Sequence, residues 1–246
     1  MNTSMIDGVQ IAAGGHGTRL REDMDRLGFH GLPKHLLPTE RGGSETLLGR
    51  IVRQAQAAPG LGRVTVFANT ANASILREHP DIDADVEIVT DEFDNSLGPF
   101  TTHLQATGSL TLGCAGDFYA DFSWKDFIAD HRSRRFPVSF MVAHTIPVDG
   151  GAAFEVAEDG QIVSLRRADR TKTTELVNIG AYIFSPDDML LKIVTEMSHV
   201  DTPAKEDVLV QSLISNGLVG AYQLESAAYN INTIETYTAL LQHNER

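Results

Sequence analysis

Apolar residues along the first half of the chain fall into two alternating textures. Short apolar runs at 8–13, 63–68, 86–89 and 110–114 have the length of buried strands, and 63–68 is rich in β-branched residues. Between them, 45–57, 72–79 and 99–107 read as helices; Leu47, Leu48, Ile51 and Val52 show the three- and four-residue spacing of one buried helix face. This alternation predicts an α/β fold, a three-layer sandwich around a mostly parallel twisted sheet. Ligands in such sheets gather at the carboxyl ends of the strands.

Beyond residue 135 the texture changes. Strands are expected at 137–144, 152–156, 162–166 and 177–184, with a turn at Glu158-Asp159-Gly160. Helices are expected at 187–197, at 204–215 and from Thr233 onward. No internal repeat, low-complexity tract or linker interrupts the chain, so residues 1–246 are expected to form one domain with a β-rich insertion.

Composition narrows the class. The 246 residues are 42% hydrophobic and 22% charged, the balance of a globular protein. No apolar run approaches the roughly 18–20 residues of a membrane span, so no membrane association is expected. The formal net charge of −13 argues against a nucleic-acid or anionic-membrane binder. A nucleotide substrate stays open, because a local cluster of Arg, Lys, backbone N–H groups and a metal ion can hold phosphates on an acidic protein. One cysteine, Cys114, excludes an internal disulfide and reads as a small core residue. Met1–Gly8 lacks the basic-then-apolar pattern of a secretory signal, and the expected location is cytoplasmic.

The sharpest signal is Ala12-Ala13-Gly14-Gly15-His16-Gly17-Thr18-Arg19-Leu20, followed by Leu32-Pro33-Lys34-His35-Leu36-Leu37-Pro38. Glycines 14, 15 and 17 let the backbone approach an anion closely and turn N–H groups toward phosphates. Arg19 adds a forked, permanently charged donor, and Lys34 a flexible point charge. Two familiar glycine loops are excluded. The Gly-Lys-Ser/Thr triplet of a P-loop is missing, and Leu20 stands where a dinucleotide loop needs its third glycine. His30 and His35 lie five residues apart on an expected loop, without metal-ligand spacing.

The pair Gly-Gly-x-Gly-Thr-Arg-Leu and Pro-Lys-x-Leu-Leu-Pro resembles the signature of the sugar-1-phosphate nucleotidyltransferase family, whose sheet is Rossmann-like. Three later stretches agree with that family in order: Ala115-Gly116-Asp117, Val177-Asn178-Ile179-Gly180-Ala181-Tyr182-Ile183-Phe184, and Ala228 to Tyr237. The resemblance implies an NTP-binding half at 1–135 and an acceptor-binding half at 136–246. It implies attack by a phosphate oxygen of the acceptor on the α-phosphorus of an NTP, with pyrophosphate leaving. Arg19, Lys34 and Asp117 would be catalytic. Ala13, Gly14, Gly15, Gly17, Thr18, Arg19, Asn95 and Gly116 would hold the nucleotide, and Ser96 lies beside Asn95 in the base-contacting stretch. Arg166, Lys172, Asn178 and Gly180 would meet the acceptor. Mg²⁺ would be the cofactor, on Asp117 and Asn230. Similar enzymes are commonly dimers or tetramers, so a homo-oligomer is implied.

The sequence also departs from that family. Asn230 stands where a second metal-binding Asp is usual, Asn232 replaces Gly, and Ile234 replaces Pro. The segment between Leu20 and Pro33 is several residues longer. A Glu-Lys-Pro motif is missing near 162–173, where Arg166, Arg167, Arg170 and Lys172 lie instead. These departures keep two alternatives: transfer to a non-sugar phosphate such as phosphocholine or a cyclitol phosphate, and a non-catalytic nucleotide-binding regulatory subunit.

Overall fold

A computed structural model describes residues 6–15, 17–91, 97–145, 151–168, 175–198 and 205–245. The chain begins β1 (Ile6–Ala12), α1 (Arg21–Arg26), a 3₁₀ turn (Lys34–Leu36), α2 (Leu47–Gln56), β2 (Arg63–Ala68) and α3 (Thr70–Glu78). It goes on through β3 (Glu87–Thr90), α4 (Gly98–Thr107), β4 (Leu110–Ala115), β5 (Phe118–Ala120), α5 (Trp124–Ser133) and β6 (Val138–His144). The hairpin β7 (Ala152–Val156) and β8 (Ile162–Arg167) precedes β9 (Leu176–Phe184), α6 (Asp188–Ser198) and α7 (Lys205–Ser215). The last elements are β10 (Val219–Leu224), β11 (Ala228–Asn230) and α8 (Ile234–Asn244).

The main sheet has the order β10-β6-β9-β4-β1-β2-β3, and the β7–β8 hairpin joins it through β9. Neighbours along that path are parallel, apart from β9, which runs antiparallel to both β4 and β6. One face packs Val9, Ile11, Val66 and Leu112 against α2, α3 and the aromatic face of α5. The other packs Phe140, Tyr182 and Phe184 against α4, α6 and α7. The three-layer α/β sandwich expected from the sequence is the fold observed.

Local chemistry explains the helix boundaries. Thr46 caps α2 by accepting from Gly49 N–H, and Asp81 in turn accepts from the Thr46 N–H and hydroxyl at 2.7 and 2.6 Å. Pro99 sits in the first turn of α4, and Gly108, at φ 60°, stops it. Ser123 caps α5. Thr233 and Thr236 cap α8 reciprocally.

A third hydrophobic cluster is separate from the two on the sheet faces. Leu20, Met24 of α1, Leu37, Ile231 and Tyr237 of α8 pack together in it, with Tyr119 of β5. The Tyr237 hydroxyl donates to the Pro38 carbonyl at 3.1 Å, and the Asn244 amide to the Thr39 carbonyl at 2.8 Å. The cluster therefore ties the end of the chain to the segment that carries Lys34.

His131 of α5 is a buried structural histidine. Its Nδ1 and Nε2 each lie 2.7 Å from a hydroxyl, of Ser139 and Ser185 respectively, so a neutral ring donates through one nitrogen and accepts at the other. Burial pushes its pKa down to about 4. The folded pKa lies below the ordinary 6.5, so the stability tied to the neutral ring is complete above pH 6.5 and is lost as pH falls toward 4. Across that window the loss should reach about 3 kcal/mol. Urea unfolding followed from pH 7 to 4 should show it, and His131→Asn should reduce the slope by the share of this ring, leaving the share of His35, which burial also holds at about 4. An unchanged slope in His131→Asn would mean that this ring does not titrate between folded and unfolded states.

Candidate functional site

Strands β1 and β4 are parallel neighbours with Ala12 beside Ala115, so their carboxyl ends reach the same sheet edge. The Gly116 N–H donates to the Ala12 carbonyl at 2.8 Å and stitches the loop after β4 to the end of β1. Gly116 sits under close cover: a Cβ there would lie 3.2 Å from the His35 ring and 3.3 Å from the Ala12 oxygen. Asp117 follows. Its carbonyl accepts from Ile231 N–H at 2.8 Å, and just beyond it β5 pairs antiparallel with β11, Phe118 opposite Asn230. Residues distant in sequence thus share the edge at which the glycine loop begins.

Lys34 enters from the 3₁₀ turn and forms an ion pair with the Asp117 carboxylate. Its ammonium also donates to Asn232 Oδ1 at 2.9 Å, and the Asn232 amide donates to Asn230 Oδ1. The Lys34 and Asp117 side chains are 11% and 12% exposed. Burial alone would raise the Asp117 pKa, but the adjacent Lys34 ammonium reverses this and holds the carboxyl below its ordinary range. His35 lies in the same 3₁₀ turn, where a loop was expected, and is buried. Burial lowers its pKa to about 4, with Asp117 opposing and Lys34 reinforcing, so the ring is neutral at pH 7. Among the described residues its Nδ1 has no hydrogen-bond partner.

The glycine loop is held from behind by two asparagines. Asn69, which caps α3, donates to the Gly14 carbonyl at 2.6 Å. Asn72 donates to the carbonyls of Ala13 and Gly15 at 3.0 and 3.4 Å. Fixing these carbonyls inward leaves the loop's N–H groups as donors for an anion. Gly17 has φ 61°, a left-handed conformation that favours glycine. In front of the loop, Gly17, Thr18, Arg19, Leu20, Lys34 and Asn232 line a cavity of about 330 Å³. Arg19 is exposed and carries no ion pair among the described residues.

The structure brings Ala13, Gly14, Gly15, Gly17, Thr18, Arg19, Lys34, Gly116, Asp117 and Asn230 to this edge. Gly180 joins them: at φ 93° on β9 it passes so close to β4 that an added Cβ would lie 3.2 Å from that of Ala115. Asn178 is engaged within its own strand, accepting from Gly180 N–H and donating to the Tyr182 hydroxyl, both at 3.0 Å. Arg166 forms an ion pair with the buried Glu175. Asn95, Ser96, Arg170, Lys172 and His16 lie outside the described residues. Asn69 and Asn72 carry roles not assigned to them from sequence; the signal available was an Asn at the end of a strand with a second Asn three residues on, at a helix start.

The oxygens of Asp117 and Asn230 suit a hard cation such as Mg²⁺, which takes one or two protein oxygens and completes its shell with phosphates and water. No group of three or more His, Cys, Asp or Glu is placed to hold a metal among the described residues, so phosphate oxygens would have to supply much of the shell.

No protein-family profile matches the sequence, and no curated protein does. Solved structures do match. A protein from Bacillus anthracis described as a glucose-1-phosphate thymidylyltransferase, crystallised with sucrose, aligns at TM-score 0.71 and 11% identity, over 96% of this chain and 94% of its own. HddC from Yersinia pseudotuberculosis aligns at TM-score 0.69 and 19% identity, over 97% of this chain and 100% of its own. This chain shares the fold of these two proteins. No helix among the described residues is long and apolar enough to cross a membrane.

Asn72→Ala would leave two loop carbonyls without their donor, at a cost of about 1–3 kcal/mol for buried groups. Amide hydrogen exchange should accelerate at residues 13–17 and stay unchanged in β3. Equal exchange in the loop of both proteins would show that the asparagine does not hold it.

Proposed function

We propose that this protein is a Mg²⁺-dependent nucleotidyltransferase that transfers the nucleoside monophosphate of an NTP to a phosphorylated small molecule, with a sugar 1-phosphate as the first candidate. The observation that carries this reading is the meeting of the glycine loop, Lys34 and Asp117 at one strand edge of a nucleotidyltransferase fold. The match between the sequence motifs and that edge supports it, since the glycine loop lies just after β1 and Gly116-Asp117 just after β4.

In this reading the loop N–H groups and Arg19 hold the triphosphate beside the cavity that Arg19 and Lys34 line. An oxygen of the acceptor phosphate attacks the α-phosphorus. A new P–O bond forms as the bond between the α-phosphorus and its bridging oxygen breaks, and pyrophosphate leaves with the electron pair. No protein nucleophile is needed; the work lies in alignment and in stabilising charge. In the same reading Lys34 would meet the α-phosphate, and the oxygens of Asp117 and Asn230 would hold the metal. When bound, Mg²⁺ supplies charge neutralisation on phosphate oxygens.

Pyrophosphate release should be measured for ATP, CTP, GTP, UTP and dTTP against a panel of sugar 1-phosphates and phosphocholine, with Mg²⁺ and with EDTA. Metal-dependent release from one pairing is the expected outcome. Turnover of phosphocholine alone would move the acceptor to the non-sugar class, and silence throughout would count against an enzyme of this kind. On the productive pair, Arg19→Ala and Lys34→Ala should each lower turnover by about 10²–10³-fold.

A further inference from the structure

The four side chains Asp117, Lys34, Asn232 and Asn230 form a linear relay whose charges already cancel: one carboxylate, one ammonium and two neutral amides. We infer that Asn232 is a positioning residue that latches Lys34 onto Asp117 and caps Asn230 in the nucleotide-free protein, so that a divalent cation gains the site only when a triphosphate draws Lys34 away. The inference rests on the nucleotidyltransferase reading for the identity of that triphosphate.

Both groups suited to the cation are engaged by donors of the chain itself, Asp117 through Oδ2 and Asn230 through Oδ1. The Asp117 carboxylate is in contact with the Lys34 ammonium, and Asn230 Oδ1 accepts from the Asn232 amide. A cation approaching Asp117 therefore meets a like charge on the same carboxylate, in a region where the paired side chains are 11% and 12% exposed and water screens poorly. Asn232 acts on both oxygens at once, because its carbonyl holds Lys34 while its amide holds Asn230. A glycine at this position would do neither.

The cavity in front of the glycine loop shows how the latch opens. Lys34 and Asn232 both line it, beside Thr18 and Arg19. A phosphate held there lies against the other side of the same ammonium and competes with Asp117 for it. As Lys34 turns to the phosphate, the carboxylate is freed at the moment phosphate oxygens become available to complete a metal shell. The amide of Asn232 is released with it, because its carbonyl loses the ammonium that fixed its orientation.

The test uses Mn²⁺ as the probe, with binding to the nucleotide-free full chain read from the free-ion electron paramagnetic resonance signal. Lys34→Met, which keeps the side-chain length and removes the charge, should tighten Mn²⁺ binding by about tenfold or more. Asn232→Gly should tighten it by about three- to tenfold, the scale of one released hydrogen bond. The double variant should gain less than the product of the two, since both act on one relay. Adding Asp117→Asn to either should erase the gain. If glycine loosens the fold by circular dichroism, Asn232→Ser, too short to span Lys34 and Asn230, takes its place. Mn²⁺ affinity unchanged in folded Lys34→Met and Asn232 variants would overturn the latch, as would a lowered melting temperature with no change in affinity. Nucleotidyl transfer by wild type alongside unmoved Mn²⁺ affinity would remove the latch and keep the reaction. Shifted affinity with no turnover of any substrate pair would remove the reaction and keep the latch.

Discussion

The site depends on the parallel register of β1 and β4. With Ala12 beside Ala115, the glycine loop and the Gly116-Asp117 turn leave the sheet side by side, and the bond from Gly116 N–H to the Ala12 carbonyl holds them there. Such a register is strongly specified, because slipping a strand by one residue would carry Val9, Ile11 and Leu112 from one face of the sheet to the other. Packing against α2 and α3 thus sets where the strand ends lie, and Asn72 of α3 also holds the glycine loop directly. The fixed strand ends hold the backbone, and the third hydrophobic cluster brings Lys34 and Asn232 to them from elsewhere in the chain.

The electrostatics of this edge differ from those of the protein as a whole. The chain carries a formal charge of −13, yet the relay around Asp117 balances itself and Arg19 stands exposed beside it. Removing an ammonium and a carboxylate from water is costly, and the pair persists because each group finds the other and Lys34 also reaches a neutral oxygen. His35, beneath Asp117, stays neutral and adds no second positive charge to the pair at pH 7. The arrangement is local, which explains why a net negative protein presents phosphate-compatible chemistry.

The fold was legible where periodicity and caps agree. The helices at 47–56 and 98–107 and the strands at 63–68, 110–115, 138–144 and 176–184 lie within a few residues of the positions their patterns indicate. Strands β5 and β11 are three residues each, too short to show a period, and β10 is broken in character by Gly220-Ala221, where Gly220 lies against Phe136. Helix α5 is absent from the expected elements, although Trp124, Phe127, Ile128 and His131 are spaced for one face behind the Ser123 cap. At the site, the meeting of the loop and Asp117 was legible because each follows a strand of an expected parallel sheet, whose strand ends share one edge. Asn232 was visible only as a departure from a pattern. Its role depends on a contact with Lys34, 198 positions away in sequence, that no local spacing encodes.

Strand β9 sits between β4 and β6 and is the last of the three to be synthesised. Until Phe184 has emerged, the growing chain holds β4 with one free edge, although Leu110 to Cys114 are all buried in the finished fold. A strand of that composition with unpaired backbone groups is a template for pairing with another chain. The hairpin β7–β8 must also be spanned before β9 can close the gap, and this long loop slows the step. The middle of the sheet is therefore where a nascent chain presents unpaired buried strands, one edge of β4 and both edges of β6, to other chains.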